Sequence, residues 1–310
     1  MSATRHPWGV NVLVDFEDGI AWVTLNRPAK RNAMNPALIA EMKATVDVLA
    51  TDERCGVFVL TGAGESFTAG MDLEEYFRQT DDAPDTLLLN IRRLNEEWQW
   101  RRLRDYPKPT IAMVNGWCFG GGFTPLVACD LAIAAEEAVF GLSEINWGIL
   151  PAGNVTKAVT EVMGHRDAMY YVMTGEPFDG RTAAAKGVVN EAVPRAELRE
   201  RTRALARTLL AKNQTVLRGA KIAVKRCRSM DWDTSADYLY AKVAEALHLG
   251  GLAHRERAMI GFLDEKKYRP GLESFGAETF RAESVRADER RVALQDTGKE
   301  IDGGDTGEGR

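Results

Sequence analysis

Two places in the sequence put glycine where a strand gives way to a turn, and these are the first candidates for chemistry. One is Phe67-Thr68-Ala69-Gly70-Met71-Asp72-Leu73. The other is Val114-Asn115-Gly116-Trp117-Cys118-Phe119-Gly120-Gly121-Gly122-Phe123-Thr124-Pro125. Glycine lets backbone amides approach a ligand closely, and the helix that Thr124 and Pro125 open adds unpaired N–H groups and partial positive charge. Together they can hold a developing oxyanion, worth about 10²–10³ in rate per donor. A tight turn with close helix–strand packing is the plainer alternative for either glycine run alone.

Glu144 is the candidate acid–base group. It sits among Phe140, Leu142, Ile145 and Trp147, and apolar walls raise a carboxyl pKa towards neutrality, which suits a group that both takes and gives a proton. A solvated loop carboxylate is the alternative. Asp72 and Asp130 read equally well as acids or bases and as polar residues of a turn or helix. Cys118, beside the glycine turn, is explained more simply as a small buried thiol than as a nucleophile. The histidines His6, His165, His248 and His254 show no H-E-x-x-H spacing and are expected at the surface. No G-x-S-x-G elbow occurs, which argues against a hydrolase triad. Thr61-Gly62-Ala63-Gly64-Glu65-Ser66-Phe67 begins like a dinucleotide-binding loop, but Phe67 stands where the third glycine is needed and no amphipathic helix follows directly.

The elements that must position these groups alternate. Val10 to Val14 and Ile20 to Leu25 read as strands about Glu17-Asp18-Gly19. Asn35-Pro36 reads as a helix start, with Leu38, Met42, Val46 and Leu49 at helical spacing. Gly56 to Leu60 predicts a strand, and much of Leu87 to Arg104 a helix. Pro109 to Val114 then predicts a strand, Pro125 to Cys129 a helix, and Leu131 to Ala134 and Ala138 to Phe140 strands. Strands alternating with helices imply an α/β architecture, with two short strands per helix rather than one. Beyond about residue 196 only amphipathic helices are predicted, and from Gly276 the chain is charged, poor in apolar residues and expected to be disordered.

At 310 residues the chain accommodates one large or two small domains, and its net charge of −5 argues against a nucleic-acid partner. No stretch is long and apolar enough to span a membrane, and Met1 to Gly9 carry no apolar signal region. Four scattered cysteines (Cys55, Cys118, Cys129, Cys227) form no C-x-x-C, so neither a disulfide framework nor a structural zinc is expected. The expectation is a reduced, cytoplasmic globular protein.

Taken together the segments resemble the crotonase (enoyl-CoA hydratase/isomerase) superfamily. The resemblance rests on Leu25-Asn26-Arg27-Pro28-Ala29-Lys30-Arg31-Asn32-Ala33-Met34, Ala69-Gly70-Met71-Asp72-Leu73, Asn115-Gly116 with the three glycines, and Phe140-Gly141 before Glu144. It implies a crotonase-like spiral of ββα units over residues 1–195, a helical trimerisation region over 196–275, and a polar tail over 276–310. It further implies CoA thioester substrates, a homotrimer or dimer of trimers, and no separate cofactor or metal. The thioester oxygen would be held by the amides of Met71 and Gly121, while Lys30, Ala69 and Leu73 match positions lining the CoA site.

Typical hydratases of this superfamily carry a second glutamate two residues after the third glycine. Thr124 stands there, leaving Glu144 as the only matching catalytic carboxylate. A narrower resemblance, to the branch that hydrates and cleaves feruloyl-CoA-type thioesters and releases vanillin, rests on Tyr76-Phe77-Arg78, Trp98-Gln99-Trp100, Gly116 to Phe119, Ser143 to Gly148 and Asp237 to Lys242. By that resemblance Tyr76 and Tyr240 would grip the phenolic oxygen, Ser143 and Trp147 would line the pocket, and Thr124 would replace the branch's usual serine. Whether Tyr240 serves its own or a neighbouring subunit is open at this level. An aliphatic enoyl-CoA hydratase or isomerase, and a binding protein of the same fold without turnover, are the alternatives.

Overall fold

The computed structural model describes residues 8–80, 82–250 and 252–266. The chain opens with a hairpin, β1 (Val12–Glu17) and β2 (Ile20–Leu25), turning on Asp18 and Gly19 at φ +49° and +84°. Two positive-φ residues make the turn whose twist matches paired strands, so these two alone close the hairpin and Glu17 pairs with Ile20. The first strand therefore starts and ends later than its hydrophobic run suggests. Helix α1 (Pro36–Thr51) opens as expected: Asn35 Oδ1 accepts the Leu38 amide at 2.9 Å.

The repeat that follows is strand, strand, helix: β3 (Val57–Gly62), β4 (Ser66–Thr68) and α2 (Asp85–Glu96), then β5 (Thr110–Val114), β6 (Trp117–Phe119) and α3 (Phe123–Ala128). A third round is β7 (Leu131–Ala135), β8 (Val139–Gly141) and α4 (Val155–Val162), continued by α5 (His165–Thr174), β9 (Phe178–Asp179), α6 (Gly180–Ala185) and β10 (Glu191–Val193). The first strand of each pair joins a large sheet in the order β1-β2-β3-β5-β7-β10, and the second joins a small sheet in the order β4-β6-β8-β9. This is the crotonase-like spiral, and it explains two short strands per helix. Every residue of β3 is buried, as befits a parallel strand covered on both faces. Phe123, Phe140 and Phe178 fill the core beside the small sheet, with Phe140 and Phe178 stacked 5.5 Å apart.

From Arg195 onward the described residues are helical. Helix α7 (Arg195–Leu210) lays Leu198, Thr202 and Ala206 on the large sheet against β3, β5, β7 and β10. Helix α8 (Gln214–Cys227) is pinned to the core by Lys221 and Lys225, whose Nζ atoms lie 2.7 and 2.6 Å from the Asp130 carboxylate. Helix α9 (Trp232–Gly250) packs along α8, and α10 (Leu252–Met259) follows. No described helix is long and apolar enough to cross a membrane. His6 and the tail from Gly276 lie outside the described residues.

Candidate active site

The motif residues between Leu25 and Met34 act on backbone. Buried Asn32, at φ +57°, accepts the Arg27 amide at 2.9 Å and donates to the carbonyls of Ala63 and Ser66 at 2.9 and 2.7 Å. Asn115 donates to the carbonyls of Gly62 and Gly64 at 2.9 and 2.8 Å. Two side-chain amides thus stitch one turn, over residues 62–66, which aims β4 at the site. At the end of β4, Thr68 Oγ1 donates to the Asn32 carbonyl at 2.7 Å and accepts the Gly70 amide at 3.1 Å.

Gly70 brings the two glycine turns into contact. It lies at φ +90°, and a Cβ there would meet the Phe119 carbonyl oxygen at 2.7 Å and Gly121 N at 3.2 Å, so a side chain would hold the turns apart. Next to it, the Met34 amide donates to the Gly70 carbonyl at 2.8 Å and the Asp72 amide donates to the Met34 carbonyl at 3.1 Å. That bridge uses the neighbours of Met71 and turns the Met71 N–H away from Met34. Gly121 lies in the first turn leading into α3, where N–H groups have no helical acceptor before them. The Met71 and Gly121 amides therefore come from adjoining segments on the wall of one cavity.

That cavity has a volume of about 600 Å³. Residues 69–80 form one wall, α2 and the wide helical turn Glu97–Arg102 a second, and the segment from Ser143 to Val155 a third. Glu144 lies between the third wall and the glycines, within the turn Ser143–Trp147. Burial pushes its carboxyl above the usual value of 4.5, outweighing a hydrogen bond from its own amide. Its Oε2 is buried and has no hydrogen-bond partner among the described residues. A half-buried carboxylate with no cation partner among the described residues, on the wall of a cavity that two glycine-turn amides also line, can exchange protons with a bound molecule while the amides hold an oxyanion.

The other polar candidates are occupied elsewhere. Asp72 caps the turn Leu73–Arg78 by accepting the Glu74 and Glu75 amides, and pairs with Arg27 at 2.9 Å. Burial pushes its carboxyl up, but those amides and the guanidinium outweigh this and hold it below the usual range. Asp130 belongs to the α8 lysines. Cys118 is fully buried and burial pushes its thiol up, which leaves it inert.

A family model for enoyl-CoA hydratase/isomerase matches residues 15–270. The chain belongs to the enoyl-CoA hydratase/isomerase, or crotonase, family. A hydroxycinnamoyl-CoA hydratase-lyase of Pseudomonas fluorescens is 58% identical over 275 residues, covering 89% of this chain and 99% of that protein. A 2,3-dehydroadipyl-CoA hydratase of Escherichia coli is 33% identical over 219 residues, covering 71% of this chain and 83% of that protein. Among solved structures, an enoyl-CoA hydratase from Bacillus anthracis is similar with a TM-score of 0.72 at 27% identity, covering 84% of this chain and 97% of that one.

In this crotonase-family chain Ala69, Met71, Leu73, Tyr76, Gly121, Ser143, Glu144 and Trp147 all line the one cavity. Tyr76 is half-buried, and burial raises its hydroxyl above the usual value. Three expected residues do not line it. Lys30 is exposed and pairs with Glu74 at 3.4 Å. Buried Thr124 donates its hydroxyl to the Gly153 carbonyl at 3.0 Å, so it supports the third wall from behind. Tyr240 is 77% exposed on α9. Sequence reasoning did not place Arg92, Asn95 and Gln99 at the site, although Gln99 stood in the Trp98-Gln99-Trp100 motif; α2 and its continuation present all three to the cavity. Gln99 Nε2 lies 3.3 Å from Met34 Sδ and 3.7 Å from Met71 Sδ, bracing the segment around Met71. Their three-to-four residue spacing was the available signal, but it is also that of a solvated helix face.

Proposed function

We propose that the chain hydrates the Cα=Cβ bond of a 4-hydroxycinnamoyl-CoA thioester and then cleaves the Cα–Cβ bond, yielding a 4-hydroxybenzaldehyde and acetyl-CoA. The observation that carries this reading is that Glu144, the cavity carboxylate without an ion pair among the described residues, lines one cavity with Met71 and Gly121, while Glu96 pairs with Arg101 and the Thr124 hydroxyl is turned away to Gly153. The 58% identity to the Pseudomonas hydratase-lyase supports the choice of acyl group.

A second carboxylate is dispensable if the substrate activates itself. The para-hydroxyl of the acyl ring is conjugated to Cβ, so polarising it makes Cβ electrophilic. In hydration, Glu144 takes a proton from water, the hydroxyl adds to Cβ, and the proton is delivered to Cα. In cleavage, Glu144 takes the β-hydroxyl proton, the Cβ–O bond becomes a carbonyl and the Cα–Cβ electron pair moves into an acetyl-CoA enolate. The Met71 and Gly121 amides hold the enolate oxygen until Cα is reprotonated. Both halves are redox-neutral and use one carboxylate alternately as base and acid.

Tyr76 supplies one hydrogen bond to the phenolic oxygen. Tyr240 supplies another from a neighbouring subunit, since on its own subunit it stands exposed beside Val243 on α9. An apolar helix face of this kind is suited to burial between copies in a homotrimer or dimer of trimers. Ala69 and Leu73 line the path of the CoA chain, with Lys30 at its outer end.

The test is a stopped assay with feruloyl-CoA scored for vanillin and acetyl-CoA. Equimolar appearance of both is the expected result. Accumulation of the β-hydroxy thioester alone, or faster turnover of crotonyl-CoA, overturns the assignment in favour of a plain hydratase.

A further inference from the structure

Two polar atoms on the cavity wall share one unusual property. Asn95 Oδ1, like Glu144 Oε2, is buried and has no hydrogen-bond partner among the described residues. The whole of Asn95 is only 7% exposed, and the residue lines the cavity. Buried amides are almost always paired, and one left open on the wall of a cavity is explained when the occupant completes it. Because the oxygen and nitrogen ends of an asparagine amide exchange by a half-turn, this side chain can offer the cavity either a donor or an acceptor.

The position of Asn95 along α2 says which part of the occupant it meets. Gln99 marks the oxyanion end through its contacts with Met34 and Met71. Asn95 precedes it by four residues, about 6 Å along a helix axis. In an extended cinnamoyl thioester the ring begins two carbons beyond the carbonyl, so a group at that remove faces the ring rather than the reacting double bond. Further still from Gln99 along α2, Leu88, Ile91 and Arg92 line the same cavity, and Tyr76 lines it from the wall of residues 69–80. With the phenolic oxygen at Tyr76, as assigned above, the para end of the ring lies there, and Asn95 flanks the edge of the ring before it.

Resting on the acyl group assigned above, we infer that Asn95 is a specificity-determining residue that hydrogen-bonds an oxygen substituent at the meta position of the ring. A methoxyl there can only accept, and takes the amide N–H. A hydroxyl can also donate, and takes either end. An unsubstituted ring offers nothing and leaves the amide unpaired.

The experiment compares kcat/KM for feruloyl-CoA (meta-methoxyl), caffeoyl-CoA (meta-hydroxyl) and 4-coumaroyl-CoA (meta-hydrogen) in wild type, Asn95→Leu and Asn95→Asp. In Asn95→Leu the first two are expected to fall about tenfold, one hydrogen bond's worth, with 4-coumaroyl-CoA held within about twofold. In Asn95→Asp, which has no N–H, feruloyl-CoA is expected to fall while caffeoyl-CoA, able to donate, keeps its rate. An equal fall for all three thioesters, or no change in any, overturns the role.

A second arm does not depend on turnover: calorimetric binding of vanillin, 3,4-dihydroxybenzaldehyde and 4-hydroxybenzaldehyde to wild type and Asn95→Leu. Selective weakening of the first two supports the role of Asn95 even if no thioester reacts, which would instead count against the hydratase-lyase assignment. An equal loss for all three aldehydes, or no binding of any, overturns it.

Discussion

Gly120 and Glu144 occupy neighbouring space with no room for another atom. A Cβ built on Gly120 lies 2.9 Å from Glu144 Oε1 and 3.2 Å from its Cδ, and Gly120 is itself at φ +48°. The glycine turn that sets the Gly121 amide is thus also the seat of the carboxylate, and one residue fixes the distance between the two.

Gly120→Ala is therefore expected to harm both folding and chemistry. The left-handed backbone alone costs about 1–2 kcal/mol for a residue with a Cβ. The displaced carboxylate is expected to lower kcat at least as sharply as it lowers stability. Thermal unfolding and steady-state kinetics on the same preparation check this. Wild-type kcat in a destabilised Gly120→Ala protein would show that Glu144 is not seated by the turn.

Glu144→Gln keeps the shape and removes the exchangeable proton. Turnover is expected to fall by about 10²–10⁴, the range of acid–base catalysis, with acyl-CoA affinity retained. The acidic limb of the wild-type kcat/KM profile is expected above 4.5, the usual glutamate value, because burial raises this carboxyl. That limb should be absent from whatever activity Glu144→Gln retains.

The same shift has a consequence for stability. A carboxyl raised on folding binds its proton more tightly in the folded state, so its favourable contribution is present below the unfolded value of 4.5 and is lost as pH rises through the folded value. Glu144→Gln is expected to unfold at a higher temperature than wild type near neutral pH, with the difference shrinking as the pH falls through the raised folded value and gone below 4.5. A melting-temperature difference independent of pH contradicts this.

Arg27 supports the site through Asp72. The pair is 2.9 Å apart with side chains only 11% and 6% exposed, and a second arm of Arg27 reaches Glu75 at 2.5 Å. Arg27→Met leaves a buried carboxylate unpaired, at an expected cost of about 3 kcal/mol. Since Asp72 adjoins Met71, KM is also expected to rise. Denaturant titration with acyl-CoA kinetics checks both, and unchanged stability would mean that Asp72 is held by its backbone amides alone.

If Tyr240 works in a neighbouring subunit, two defective chains can repair one another. Glu144→Gln and Tyr240→Phe homo-oligomers are each expected to be impaired. Hybrids formed by co-expression should contain sites with both native residues and recover a fraction of wild-type activity. Hybrids no more active than the average of the two parents would place Tyr240 on its own subunit's site or on none.

What the sequence determined by itself was local or periodic. Asn35-Pro36 starts a helix wherever the chain goes, because the cap is made within three residues. Asp18-Gly19 turns a hairpin for the same reason, and apolar runs without polar alternation predict buried parallel strands. The ordered motifs around Met71, Gly121 and Glu144 pointed to the crotonase family because backbone geometry demands glycine at set positions.

Only the tertiary structure decided which carboxylate is free. The sequence favoured Glu144 by its apolar neighbours, but Asp72 and Asp130 beside turns remained open as acids or bases. Folding brings Arg27 to Asp72 from 45 residues away and Lys221 to Asp130 from 91 residues away, and among the described residues brings no cation to Glu144. Asn95 was hidden for a related reason. A polar residue on an amphipathic helix reads as solvent-facing until the opposing walls close over it, and that closure comes from residues 69–80 and 143–155, remote from α2 in sequence. Charge pairing and cavity closure depend on contacts between distant segments, which no local pattern records.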